Sequence, residues 1–197
     1  MKKILIILLA FSFAQIGAQE LKEISFIAPF QEDLAAVKKN NKWGFMDKEG
    51  KLVVGFRSDL YTSGKKQPYP VFSSGLCQIT KDKNGIPHYG YINPKGETVI
   101  EPEFVDASTF NNNTAIVLKV AKEVLGENEL LGKKVVSYAY NEVLINHKGE
   151  TVKHLRGPFN LLYDKGKTKD FPKIKSHFLN ENLVAVPGEK NSWSVVS

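Results

Sequence analysis

Two stretches decide the fold. The first is Lys42-Trp43-Gly44-Phe45-Met46-Asp47-Lys48-Glu49-Gly50-Lys51-Leu52-Val53-Val54. The second is Tyr89-Gly90-Tyr91-Ile92-Asn93-Pro94-Lys95-Gly96-Glu97-Thr98-Val99-Ile100. Each sets an aromatic–glycine pair before a short apolar strand, then Asp or Asn, then Gly three residues on. Asp or Asn at the first turn position bonds the backbone two residues ahead, and Gly at the fourth tolerates a positive φ. Asp47/Gly50 and Asn93/Gly96 are therefore copies of one tight turn between β-branched and aromatic runs, which is a β-hairpin. Asn146-His147-Lys148-Gly149 repeats the turn with Glu142-Val143 in front of it. Trp193-Ser194-Val195-Val196-Ser197 repeats the approach to it.

A second pattern lies upstream of each copy. A large apolar residue, three mostly polar ones and a short apolar run occur at Phe30 to Val37, Phe72 to Ile79, Phe110 to Val117 and Leu179 to Val186. The repeat unit is thus a hairpin preceded by another strand. Gly44 and Gly90 permit close approach of a neighbouring backbone. Trp43 and Tyr89 bring large apolar area with a polar tip. The expectation is an all-β fold of tandem antiparallel hairpin or meander units, stacked through their Trp/Tyr and Phe positions into one elongated array. A propeller-like arrangement is the alternative. Truncating Trp43 to Ala is expected to cost about 3–5 kcal/mol if it fills the core.

Lys42-Trp43-Gly44-Phe45-Met46-Asp47 with Gly50, and Leu34-Ala-Ala-Val37 upstream, resembles the WG-repeat (tryptophan-glycine repeat) family of exported bacterial proteins. The run Gly90-Tyr91-Ile92-Asn93, Gly96, Val99-Ile100-Glu-Pro102-Glu-Phe104 is similar to the downstream half of that repeat. The third copy departs from it at Glu142-Val143, and the fourth at Ser194. The resemblance implies β-rich tandem units in an exported or envelope protein, and brings no catalytic residues. The structural repeat positions are Trp43, Gly44, Asp47, Gly50, Tyr89, Gly90, Asn93, Gly96, Asn146, Gly149 and Trp193. Units are placed at about 29–61, 70–108, 109–160 and 178–197, the last lacking its turn. Insertions fall at Lys81 to Pro87 and Lys119 to Tyr140. The second of these reads as a short helix or an extended hairpin, and the alternation in Lys133 to Tyr140 favours the hairpin. Ser63 to Pro70 and Tyr163 to Lys175 read as exposed loops.

The N-terminus has the three-part pattern of a secretory signal peptide over residues 1–18: Met1-Lys2-Lys3, an apolar run from Ile4 to Phe13, and small residues to Ala18. The apolar run is too short to span a bilayer. The remainder, 19–197, is expected to have no membrane span and to be periplasmic, cell-surface or extracellular. The chain of 197 residues is 42% hydrophobic and 24% charged, with a net charge of +6. These values exclude wholesale disorder, and a single cysteine excludes a disulfide scaffold. Basic clusters such as Lys38-Lys39-Lys42 and Lys165-Lys167-Lys169 read as solvated loops, and export argues against nucleic acid as a partner.

Candidate chemistry is sparse. His88, His147, His154 and His177 lack metal-ligand spacing. Cys77 occupies the slot of Ala35, Ala115 and Val184, so it reads as a small strand residue. Glu101 and Glu103 flank Pro102 in what reads as a connector. No cofactor, metal or catalytic residue is assigned. The expected function is a non-enzymatic repeat module binding a protein or glycan at the cell envelope. The alternative is a secreted hydrolase assembled from scattered acidic and His residues. The unpaired final strand, Trp193 to Val196, invites edge-strand self-association at the C-terminus.

Overall fold

The structure, a computed structural model, describes residues 21–64, 68–128, 133–160 and 172–197. Residues 1–18, read above as a signal peptide, most of the Tyr163 to Lys175 segment and the middle of the Ser63 to Pro70 segment lie outside the described residues. What is described is all-β, in four antiparallel sheets. The first holds β1 (Phe26–Ile27), β2 (Ala35–Lys39), β3 (Lys42–Met46) and β4 (Leu52–Arg57) in that order. The second holds β5 (Phe72–Ser73), β6 (Leu76–Lys83), β7 (Ile86–Ile92) and β8 (Thr98–Phe104). The third holds β9 (Asp106–Ala107), β10 (Ala115–Asn128), β11 (Lys133–Ile145) and β12 (Thr151–Asn160). The fourth has three strands, β13 (His177–Phe178), β14 (Val184–Pro187) and β15 (Trp193–Val196). None closes into a barrel, and the order within each is that of a simple meander.

All four sheets share one register. Val37 faces Gly44 across the second and third strands, Ile79 faces Gly90, Val117 faces Val143 and Val186 faces Ser194. Glu142-Val143 and Trp193-Ser194 therefore occupy the Trp-Gly place. The short opening strand binds the next strand at equivalent points, through Ile27–Val37, Leu60–Ile79 and Ala107–Val117. Asp59 to Tyr61 thus pairs into the second sheet ahead of β5. Asp106 and Ala107 likewise belong to the third sheet.

Both insertions lengthen hairpins, which for Lys119 to Tyr140 is the reading its alternation favoured. Lys81 to Pro87 extends β6 and β7 around the turn at Asn84-Gly85. β10 and β11 pair antiparallel along their length, with one irregularity between Val124 and Gly126. Glu101 and Glu103 are not in a connector: both lie exposed on β8, an edge strand whose inward residues are Ile100, Pro102 and Phe104.

The core lies between sheets. Period-two alternation sends one side of each strand back toward the preceding sheet and the other forward. Cys77, Ile79 and Ile92 pack back onto Ala36, Phe45 and Val54. Leu76 and Tyr91 point forward, with Ile100 and Phe104, onto Phe110, Ala115, Val117, Val143 and Ile145. From the third sheet, Ile116 and Leu144 point forward onto Val184 and Val186. The inner sheets are buried on both faces, which is why their strands are near-continuous apolar runs.

Candidate functional site: the repeat positions

The three c–d turns, between third and fourth strands, are built alike. Gly50, Gly96 and Gly149 have φ of 79°, 81° and 80°. Their amides donate to the carbonyls of Asp47, Asn93 and Asn146 at 3.1, 2.9 and 2.9 Å. The Asn93 side-chain oxygen accepts from the amides of Lys95 and Glu97, and its amide group donates to the Glu97 carboxylate at 2.7 Å. Asn146 does the same with Lys148 and Glu150. Asp47 accepts from the Lys51 amide at 2.8 Å.

These turns also join neighbouring units. A Cβ on Gly96 would stand 3.3 Å from Val54, and one on Gly149 would stand 3.2 Å from Ile100. Val54 and Ile100 are equivalent, opposite Phe45 and Tyr91. The second and third turns thus rest on the fourth strand of the preceding sheet. Arg57 reinforces the first such contact, paired bidentately with Asp59 at 2.6 and 2.7 Å while donating to the Gly96 carbonyl at 2.9 Å. On the third sheet the residue equivalent to Val54 and Ile100, opposite Leu144, is Lys153, whose ammonium bonds the Ser197 carbonyl.

The glycine after the aromatic has the role expected of it. A Cβ on Gly44 would lie 2.7 Å from the Val54 carbonyl oxygen, and one on Gly90 would lie 2.4 Å from that of Ile100. The fourth strand bulges against both. The aromatic itself is less uniform. Tyr89 is buried and meets Tyr61 edge-on at 5.0 Å. Trp43 is only part-buried, edge-on to Phe26 at 5.7 Å with the Lys38 ammonium over its face. Trp193 is exposed and touches His177. The stacking expected of the Trp/Tyr positions is carried instead by the aromatic two residues on. Phe45 packs edge-on against Phe72 at 4.6 Å, and Tyr91 against Phe110 at 4.8 Å.

The opening turns form a second, polar row. The Glu32 carboxylate accepts from the Ser74 and Gly75 amides at 2.6 and 2.9 Å. The Ser73 hydroxyl donates to the Phe110 carbonyl at 2.7 Å. Asn111 and Asn112 donate to the Asn180 carbonyl and the Asn182 side chain at 3.2 and 3.1 Å.

Sequence reading missed one feature. Glu142, in the tryptophan place of the third sheet, is fully buried. Its carboxylate accepts from the Lys175 amide at 2.5 Å and the Ser176 hydroxyl at 2.6 Å, with Arg156 at 3.8 Å. Asp106 accepts from the Ile174 amide at 2.9 Å. Two carboxylates thus fasten residues 174–176, the approach to the fourth sheet, onto the third. The departure from Trp-Gly was visible, but nothing local showed its partners.

Burial pushes the Cys77 thiol well above its ordinary range, and the residue sits in the core between sheets one and two. It is a packing residue. His147 packs its ring on Phe110 at 4.8 Å, and His88 contacts the Ile86 carbonyl at 3.0 Å. Among the described residues no three His, Cys, Asp or Glu side chains converge as a metal site, and no helix is long and apolar enough to cross a membrane.

The family model for the WG containing repeat matches residues 22–43, 43–62 and 89–119. No curated protein and no solved structure matches the chain. The matched stretches contain the whole first sheet, Tyr89 to Phe104 of the second and the opening of the third. The chain carries WG-containing repeats.

Proposed function

We propose that this repeat module is exported and acts without catalysis, binding a protein or glycan partner at the cell envelope. The observation that supports this most is how the stack distributes its surface. Apolar strand residues are spent between sheets, while the turns stand outward in two rows, one at Glu32, Ser74 and Asn112 and the other at Asp47, Asn93 and Asn146. A repeated row of polar turns on a packed scaffold suits recognition of an extended partner, as in other stacked-repeat architectures. The N-terminal three-part pattern supports export.

The test is capture from an envelope fraction with the purified chain, followed by mass spectrometry and a glycan array. A discrete partner or glycan class, lost when turn residues such as Lys95 and Lys148 are replaced by Glu, is the expected result. Hydrolytic turnover that disappears on a single carboxylate substitution would overturn it in favour of a hydrolase.

A further inference from the structure

We propose that copies of this chain stack head to tail, the fourth sheet of one copy receiving the first sheet of the next in the way successive sheets pack within the chain. This goes beyond the binding reading and does not depend on it. The stacking interface is established twice inside the molecule. Phe45 of the first sheet and Tyr91 of the second are 1% and 0% exposed, each capped edge-on by an aromatic from the following sheet, Phe72 or Phe110.

The shared register identifies the same positions at the two outer sheets. Val195 faces Ala185 as Phe45 faces Ala36 and Tyr91 faces Gln78. It is 60% exposed, and Trp193 beside it is 56% exposed. At the other end, Phe30 precedes its opening turn as Phe72 and Phe110 precede theirs, yet it is 48% exposed while both equivalents are 1% exposed. Ile27, equivalent to Leu60, is 56% exposed where Leu60 is 6%. One outer face thus offers the receiving residues Val195 and Trp193, and the other offers the inserting residues Phe30 and Ile27, beside Ala35 and Val37, the equivalents of Cys77 and Ile79, which are already buried within the chain. They belong to opposite sides of the unit, so they are complementary to each other and not to themselves. Joining them gives a heterologous contact that repeats from one copy to the next. The occupant that fits is a second copy of this chain.

Sedimentation velocity on the purified protein, its N-terminus fixed by mass spectrometry, reads this directly. Species at two and three times the monomer mass should grow with concentration. Phe30→Asp and Val195→Lys should each leave a monomer at every concentration, with unfolding temperatures near wild type because both side chains are exposed. An equimolar mixture of the two variants still contains one intact face of each kind. It should form a complex of two chains and nothing larger. A wild-type monomer throughout the series overturns the proposal. So does association that persists in either variant, which would place the contact on another surface such as a strand edge.

Discussion

Gly90 shows how much one missing methyl group can decide. A Cβ there would lie 2.4 Å from the Ile100 oxygen and 2.6 Å from the Pro102 nitrogen, both backbone atoms that move only if the bulge moves. Gly90→Ala should therefore destabilise by about 1–3 kcal/mol, the usual cost of overpacking. Gly50→Ala tests a different cost, since open space surrounds it and only its φ of 79° resists a side chain. About 1–2 kcal/mol is expected there. Urea midpoints with unchanged m-values would measure both, and a neutral Gly90→Ala would refute the close-approach argument. Tyr91 carries a pH dependence. Burial raises its phenol pKa above the ordinary value of 10.0, and its hydroxyl donates to the Ser108 carbonyl at 2.7 Å. A raised folded-state pKa contributes stability that is fully present below the unfolded value and lost as pH rises above it. The contribution of Tyr91 to stability should be level below about pH 10 and fall in alkali. Absorbance near 295 nm should show phenolate from this residue only on unfolding. Phe45 and Tyr91 were in plain view in the sequence, but alternation alone does not say which side of a doubly buried strand carries the stacking aromatic. The truncation cost expected for Trp43 belongs instead to Phe45: Phe45→Ala should cost about 3–5 kcal/mol, and the part-buried Trp43 less.

At the scale of elements, the hairpins and their turns were legible because their chemistry is local. Asp47, Asn93 and Asn146 bond within four residues of themselves, so sequence spacing contains the whole argument. The fastening of the fourth sheet was not legible because its partners are distant. Glu142 binds residues 33 and 34 positions away, and an acid on a strand ordinarily reads as solvent-facing. Glu142→Ala would leave the buried Ser176 hydroxyl and the part-buried Lys175 amide and Arg156 guanidinium without their carboxylate. A loss of about 3–5 kcal/mol is expected, as for other broken buried pairs. It should appear first as lost amide protection in β14 (Val184–Pro187), with β6 (Leu76–Lys83) little changed. Glu142→Gln keeps one acceptor oxygen and should retain part of the protection. Equal loss in β6 and β14 would mean that Glu142 supports the whole stack and not one junction.

The molecule as a whole is a series of sheets, each buried against its neighbours in chain order, and such a series does not melt uniformly. Stability in stacked repeats is close to a sum over units and nearest-neighbour interfaces. The first two interfaces each gather nine buried residues and an edge-on aromatic pair. The third gathers Ile116, Leu144, Val184 and Val186, with Leu155, Ile174, Phe178 and Val196 partly buried around them. It contains no stacking ring pair among the described residues, and Lys153 replaces the apolar residue on which the earlier turns rest. With less apolar area removed from water, this interface should open at the lowest free energy. Native-state hydrogen exchange at high dilution, where copies are apart, should show β14 and β15 (Trp193–Val196) exchanging through an opening that leaves the first three sheets protected. Raising the concentration should slow that exchange selectively if outer faces meet, because whatever covers Val195 also holds down the strand that carries it. A single exchange free energy shared by all four sheets, unmoved by concentration, would show a cooperative block in place of a stack.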